Sequence, residues 1–573
     1  MPRIARAART FACGLPLRHT ALGLRYESSI AVVGGGISGL GSAYFASKKY
    51  PEAKITVFES KSRFGGWLQS SRHTVPGDGG TVLFEAGPRT LRLAGNGRLT
   101  ISMLEDLGLL DDVITVNRSS PSASNRYIYY PDHLVRIPGP PSPGWFTDLL
   151  HAAWNEEAFQ GIIGAVLTEG FKRPRAEGVT DESIGSFLSR RMSPNLVNRL
   201  ISAVFHGIYA GDVYQLSARS LLKTAYRNEA TYGSLTNAAF AQATLQRRPP
   251  RSLNDQNFEA YLLSEALTSD SAKLKMKDAS IFTFRNGIGQ LTDSLIAHLK
   301  SNPNIKFNTN TSIESMSLLK DGSMELLTAR GDQEATTSSH NRVIWTVPPG
   351  TLRSTTESRH AGRELPVVDS ETVMTVNLYY KEPDMHPVGF GYLIPLATPI
   401  EQNPENALGV VFDSSYSPDP RETSSSVMPV PLQDETRERG TKLTVILGGH
   451  FWNDWKSYPS EKEGLEMGKE VVKRHMGIMK DPLVSSVNLQ ANCIPRYAVG
   501  HHNKLSQTHE WLMKRFSGRV KVAGSWIDGV GVNDCLRSAW NAVNCIEDLD
   551  STSLNSVIFD DDFMDMRPKK SQD

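Results

Sequence analysis

The glycine turn Gly34-Gly35-Gly36-Ile37-Ser38-Gly39, near the start of the chain, constrains the fold more than any other stretch. It follows the apolar run Ile30-Ala31-Val32-Val33 and opens a helical run from Leu40 to Lys49; a second apolar run, Ile55-Thr56-Val57-Phe58, then ends at Glu59. Strand, turn, helix and strand in that order begin a doubly wound α/β domain. With 46 glycines in 573 residues, a bare G-x-G-x-x-G would arise by chance about 0.3 times, so its setting gives it meaning. The glycines do different things: Gly34 permits the tight turn, Gly36 lets the backbone approach a pyrophosphate, and Gly39 lets helix and strand pack closely. The free N–H groups of Gly35, Gly36, Ile37 and Ser38, at the positive end of the helix, receive the anion. Glu59, 20 residues after Gly39, accepts hydrogen bonds from the ribose hydroxyls, with Ser60 beside it.

A chain of this length exceeds one hydrophobic core, so two or three domains are expected. The 62 basic and 61 acidic residues nearly cancel, which leaves no field and no basic block for nucleic acid. Cys13, Cys493, Cys535 and Cys545 show no C-x-x-C spacing, so neither a metal site nor a disulfide framework is expected. The first 26 residues carry five arginines, no lysine and no acid. This bias resembles a mitochondrial presequence, placed at 1–28. No run of about 18 apolar residues occurs, so membrane attachment must be peripheral.

Along the chain, residues 29–116, 245–350 and 496–550 are assigned to the dinucleotide domain. Residues 117–244, with helical periodicity after the Pro-rich stretch Pro138 to Gly144, form an inserted helical subdomain. Residues 351–495 form a strand-rich substrate domain, in which Ser417 to Gly440 is a surface loop, and 551–573 is a polar, disordered tail. Within the helical part, Trp145, Phe146, Leu149, Leu150, Ala153 and Trp154 recur at helix spacing, a pattern more often core than membrane contact.

The segments that follow separate flavin from nicotinamide. Ser62-Arg63-Phe64-Gly65-Gly66-Trp67 resembles the R-x-G-G signature of the flavin amine oxidase superfamily, and Phe84-Glu85-Ala86-Gly87-Pro88-Arg89-Thr90 is similar to its G-x-R turn beside the isoalloxazine. The resemblance implies a non-covalent FAD. It assigns Arg63 to phosphate, the glycine pair Gly65-Gly66 to close passage of the chain, with Gly66 and Trp67 among the cofactor-binding residues, and Gly87, Pro88, Arg89 and Thr90 to the flavin. Arg89 would support the charge of reduced flavin or, alternatively, pair with Glu85. At the other end of the chain, Ala523-Gly524-Ser525-Trp526 and Gly529-Val530-Gly531-Val532-Asn533-Asp534 resemble the loop and helix start that meet the pyrimidine end, with Ser525 where many relatives carry an acid. Ile313 would meet the adenine through its backbone. The fold implied is a Rossmann-like FAD-binding domain with a mixed-sheet substrate domain and an inserted helical subdomain, α/β and α+β in class, like amine oxidases and p-hydroxybenzoate hydroxylase.

Phe205-His206-Gly207-Ile208-Tyr209-Ala210-Gly211-Asp212, Gly389-Phe390-Gly391-Tyr392-Leu393-Ile394-Pro395 and Gly529 to Cys535 are similar to the protoporphyrinogen oxidase family in particular. That family oxidises protoporphyrinogen IX to protoporphyrin IX in heme biosynthesis. Three flavin-mediated two-electron steps deliver electrons to dioxygen and yield hydrogen peroxide. The resemblance assigns Arg126 to a propionate, Phe390 and Leu393 to the pyrrole rings, and Gly207 to the space the macrocycle needs. No catalytic dyad is evident. His206 is the nearest candidate base by motif, although a lone histidine is more often structural. Further expectations are peripheral contact with the mitochondrial inner membrane, a homodimer and handover of product to ferrochelatase. Two alternatives stay open at this point: another enzyme of the fold, such as an amine oxidase or carotenoid desaturase, and a binding protein resembling Rab GDP-dissociation inhibitors.

Overall fold

The computed structural model describes residues 28–139, 144–245, 253–264, 269–331, 333–355, 365–416 and 432–558. The presequence, most of the 417–440 loop and the end of the acidic tail lie outside them.

The glycine turn sits on a five-stranded parallel sheet. Its order in space is Ile305–Asn308, Lys54–Phe58, Ser29–Val33, Arg342–Trp345 and Val520–Val522. Parallel strands covered on both faces need apolar side chains throughout, and Ala31, Val32, Val57, Val343, Ile344 and Trp345 are all fully buried. On one face lies a core that includes Leu40, Tyr44, Leu291, Leu295, Leu536 and Ala539; on the other, Met316, Leu352, Leu505, Leu512 and Phe516. Each such side chain, fully buried, stabilises by about 1.5–3 kcal/mol. Because Ser29–Val33 pairs directly with Arg342–Trp345, and that strand with Val520–Val522, the register carries the C-terminal motif back to the first turn.

A seven-stranded sheet forms the second unit, in the order Val484–Pro495, Ser370–Tyr380, Thr441–Gly448, Ala407–Phe412, Gly391–Leu393, Tyr127–Tyr129 and Leu134–Arg136. The last two strands depart from the sequence pattern, which gives 117–244 to helices. Tyr127–Tyr129 instead extends the substrate sheet, with Tyr392 opposite Tyr127 and Leu393 opposite Ile128. A three-residue strand is too short to show an alternation, so local periodicity misses it.

Three other expectations are revised. Residues 551–558, assigned to a disordered tail, are packed: Leu554, Val557 and Ile558 join the second core, and the Val522 amide donates to the Thr552 carbonyl at 3.1 Å. Those three apolar residues outweigh the acids that follow them. The described end of the 417–440 loop is anchored in part: Gln433 is buried and Asp434 binds the buried Lys442 at 2.8 Å, while Glu435, Arg437 and Glu438 are exposed. Finally, the helix Trp145–Asn155 buries only Ala152, leaving Trp145, Phe146, Leu150 and Trp154 exposed rather than in the core.

Candidate active site

The helix Ile37–Lys49 starts at Gly36 with no side-chain cap and no acid in its first turn, so its N-terminal N–H groups have no partner from a side chain there. Three of the turn's four glycines differ sharply in what surrounds them. A Cβ on Gly39 would lie 1.8 Å from the Gly34 carbonyl oxygen, and one on Gly34, at φ +104°, would lie 2.5 Å from Thr346 Oγ1. Above Gly36, by contrast, nothing comes closer than Gly66 Cα at 3.8 Å. The turn is tight where helix and strand pack and open where a pyrophosphate would rest. Glu59 stands beside it: Oε2 accepts from the Gly35 amide at 2.8 Å, Oε1 from the Lys61 amide at 2.8 Å. Ser60 directs its hydroxyl to the same carboxylate.

Around this turn the other sequence-assigned segments gather. The Gly65 amide donates to the Gly35 carbonyl at 2.8 Å, and Gly65 and Gly66 both take positive φ. Arg63, assigned to phosphate, is exposed beside this loop, and its guanidinium donates to the Phe64 and Gly66 carbonyls. Trp67 is partly exposed with the Lys61 ammonium 5.2 Å from its ring centre, and its carbonyl lies where a Cβ on Gly87 would be, at 2.8 Å. Ile313 is the second residue of the strand Ser312–Leu318, just after Thr311, whose amide donates to the Glu59 carbonyl at 2.9 Å.

Arg89 is buried against Asp413, with Nε 3.2 Å from Oδ1. It is not paired with Glu85, and among the described residues its buried Nη2 has no hydrogen-bond partner. A small cavity holds it together with Glu85, Asn377, Asp413, Tyr416, Gln433 and Lys442. Burial pushes the Glu85 carboxyl up to about 8, while Asp413, Tyr416 and Glu85 hold the Arg89 guanidinium protonated against its own burial. Sequence could not identify Asp413, because the pair spans two domains.

The helix Val532–Asn544 packs on Ile37–Lys49, close enough that a Cβ on Gly41 would lie 2.7 Å from Leu536. Its start at Gly531 is therefore carried to the same cleft. The approach loop is locked by Asp534, which accepts from the Gly531 amide at 3.2 Å and Asn96 Nδ2 at 2.8 Å, and by Tyr497, whose hydroxyl accepts from the Gly529 amide and donates to the Ser525 carbonyl. Val530 and Gly531 remain accessible, whereas the Val532 side chain lies in the first core and Trp526 in the second. Trp526 thus offers a cofactor only its backbone. An open pyrophosphate turn, a ribose carboxylate, a bare helix start and a second helix start across the cleft together fit FAD.

The residues assigned to a substrate by resemblance are brought near one another by one strand pairing. With Gly391–Leu393 beside Tyr127–Tyr129, Arg126 and Phe390 enter their strands side by side, and the Phe390 amide donates to the Asn125 carbonyl at 2.9 Å. Gly207 meets Leu393 from the helix Ser202–Tyr209; a Cβ there would lie 2.5 Å from Leu393 Cδ2. His206 is different. Its Nδ1–H donates to the Ile394 carbonyl at 2.9 Å, so its Nε2 lone pair accepts from His450 Nε2–H at 3.0 Å. Burial pushes His206 down to about 4 and, together with His206 and Arg496, pushes His450 down to about 3. His206 is a fixed neutral hydrogen-bond link rather than a free base. Its partner lies 244 residues away, beyond any local motif.

Two helix starts and a glycine turn that fit FAD mark a flavin-binding fold. The chain belongs to the flavin containing amine oxidoreductases, a family that matches residues 37–547. Its relatives include the protoporphyrinogen oxidase of Schizosaccharomyces pombe, 32% identical over 92% of this chain and 100% of that protein. The Homo sapiens protoporphyrinogen oxidase is 27% identical over 90% of this chain and 97% of its own. Reduced UDP-galactopyranose mutase shares the fold, with a TM-score of 0.60 at 14% identity, covering 94% of this chain and 99% of that one. The chain is an FAD-dependent oxidoreductase.

Proposed function

We propose that the chain oxidises protoporphyrinogen to protoporphyrin in heme biosynthesis, with dioxygen as the electron acceptor. The observation that carries this reading is the strand pairing that sets Arg126, Phe390, Leu393 and Gly207 together, in a chain whose full-length relatives are protoporphyrinogen oxidases. Bound FAD supplies a two-electron acceptor, used three times for a six-electron oxidation. The protein's own part is to bind and orient. Arg126 pairs a propionate, Phe390 offers a ring face, and Gly207 lets Leu393 lie flat where any side chain would displace it. A bridge carbon between pyrroles gives up hydride readily, so positioning rather than a strong base carries the reaction, consistent with His206 having no free lone pair.

The exposed apolar helices support peripheral membrane contact. Trp154 and Phe171 are 88% and 90% exposed, with Phe146, Val166 and Leu167 nearby in sequence also more than half exposed. Such a face suits a lipid interface. Among the described residues no helix is long and apolar enough to cross a membrane. The presequence-like start directs this reading to the mitochondrial inner membrane.

Oxygen uptake tests the function. Purified holoprotein should consume three dioxygen for each protoporphyrin formed and release peroxide in proportion. Oxygen uptake with a polyamine and none with porphyrinogen would overturn it.

A further inference from the structure

We propose that Arg92 is a second carboxylate-binding residue of the substrate face, so that Arg92 and Arg126 together take the two carboxylate side chains of one substrate. The proposal rests on the porphyrinogen reading and deepens it.

Arg92 ends the short strand Leu91–Arg92, and its antiparallel register sets it opposite Ile281. Directly paired residues on antiparallel strands stand on the same face. Ile281 is also opposite Val116, and the two form, with Tyr416, the bed against which Phe390 packs. The exposed Arg92 side chain therefore rises from the face that supports Phe390, while Leu91 points the other way into the first core. Arg126 lies one residue beyond Asn125, whose carbonyl holds the Phe390 amide, and its guanidinium is near enough to Arg92 to feel its charge. The backbone of Arg92 is pinned as well. Its carbonyl accepts from Asn533 Nδ2 at 2.9 Å, and Asn533 Oδ1 accepts from Thr100 Oγ1 at 2.7 Å. Arg92 is thus fixed to the start of the helix that faces the cofactor.

Among the described residues neither arginine has an ion-pair partner, although ion pairs are frequent elsewhere in the chain. Burial, and then the nearby charge of Arg92, lowers the Arg126 guanidinium from its usual value. Two like charges facing one space without a carboxylate oppose each other; a ligand bearing two carboxylates reverses that sign. Each guanidinium offers a planar fork to one carboxylate. A macrocycle with two propionates on one edge supplies both at once.

The test uses FAD-loaded full-length protein, with Arg92→Gln and Arg92→Lys variants whose flavin absorbance and Tm are checked first. Binding of protoporphyrin IX and of its dimethyl ester is followed by porphyrin fluorescence. Arg92→Gln should weaken binding of the diacid by about 10–100-fold and leave the diester unchanged, and Arg92→Lys should recover part of the loss. KM for protoporphyrinogen should rise by at least about 10-fold with kcat within about 3-fold. An Arg92→Gln protein that binds diacid as the wild type does, or that loses diacid and diester equally, would overturn the assignment. Failure of the wild type to be reduced by protoporphyrinogen would overturn the underlying function; reduction of the wild type with unchanged Arg92→Gln kinetics would overturn this assignment alone.

Discussion

The cofactor cradle and the substrate face are built by opposite means. In the cradle, function lies in the backbone: bare helix starts, positive-φ glycines, and space left where side chains are missing. On the proposed substrate face it would lie in side chains delivered by separate segments, Arg126 and Phe390 at the starts of paired strands and Gly207 on a helix. A cradle made of backbone tolerates almost no added atom. A face made of side chains loses one contact at a time.

The largest effect expected from that contrast is at Gly39. Gly39→Val puts carbon against the Gly34 carbonyl, where a Cβ would sit at 1.8 Å, and should abolish both soluble folding and flavin binding, read by expression yield and absorbance. Gly36→Ala separates packing from ligand. Its methyl meets nothing nearer than 3.8 Å, so the fold should survive with a Tm within a few degrees while FAD affinity drops by at least about 10-fold. A Gly36→Ala protein that retains full FAD affinity would mean the pyrophosphate does not lie over this turn.

On the other face, Arg126→Ala should raise KM for protoporphyrinogen by about 10–100-fold with kcat within about 3-fold, because propionate binding is the same in ground and transition states. A pure turnover defect would contradict that role. Smaller again, Trp154→Ser with Phe171→Ser should reduce binding to anionic vesicles by about 10-fold without moving Tm, since both rings are about nine-tenths exposed.

The smallest effect concerns pH. His206 and His450 sit at about 4 and 3 against a usual 6.5, so the unfolded chain binds protons that the folded one refuses. Their stability contribution is present above about pH 6.5 and is lost as pH falls toward 4. Thermal melts across that window should show acid lability, flattened in a His206→Asn, His450→Asn double variant.

The two regions also differ in how far sequence exposes them. A backbone site needs consecutive residues, so the turn at Gly34 to Gly39, Glu59 and the helix starts can be read locally. Side-chain partnerships made by folding cannot. Asp413 beneath Arg89, His450 against His206, and the strand Tyr127–Tyr129 hidden in an expected helical stretch all depend on residues far apart in the chain. Exposed aromatic residues at helix spacing are ambiguous, because periodicity reports an apolar side and not what covers it.

One anaerobic experiment joins the cradle to the face. Oxidised holoprotein mixed with protoporphyrinogen in the absence of dioxygen should lose its yellow flavin absorbance as porphyrin fluorescence appears, and readmitted oxygen should restore the colour. Flavin that stays oxidised in excess porphyrinogen, in protein that is folded and loaded with FAD, would contradict the account.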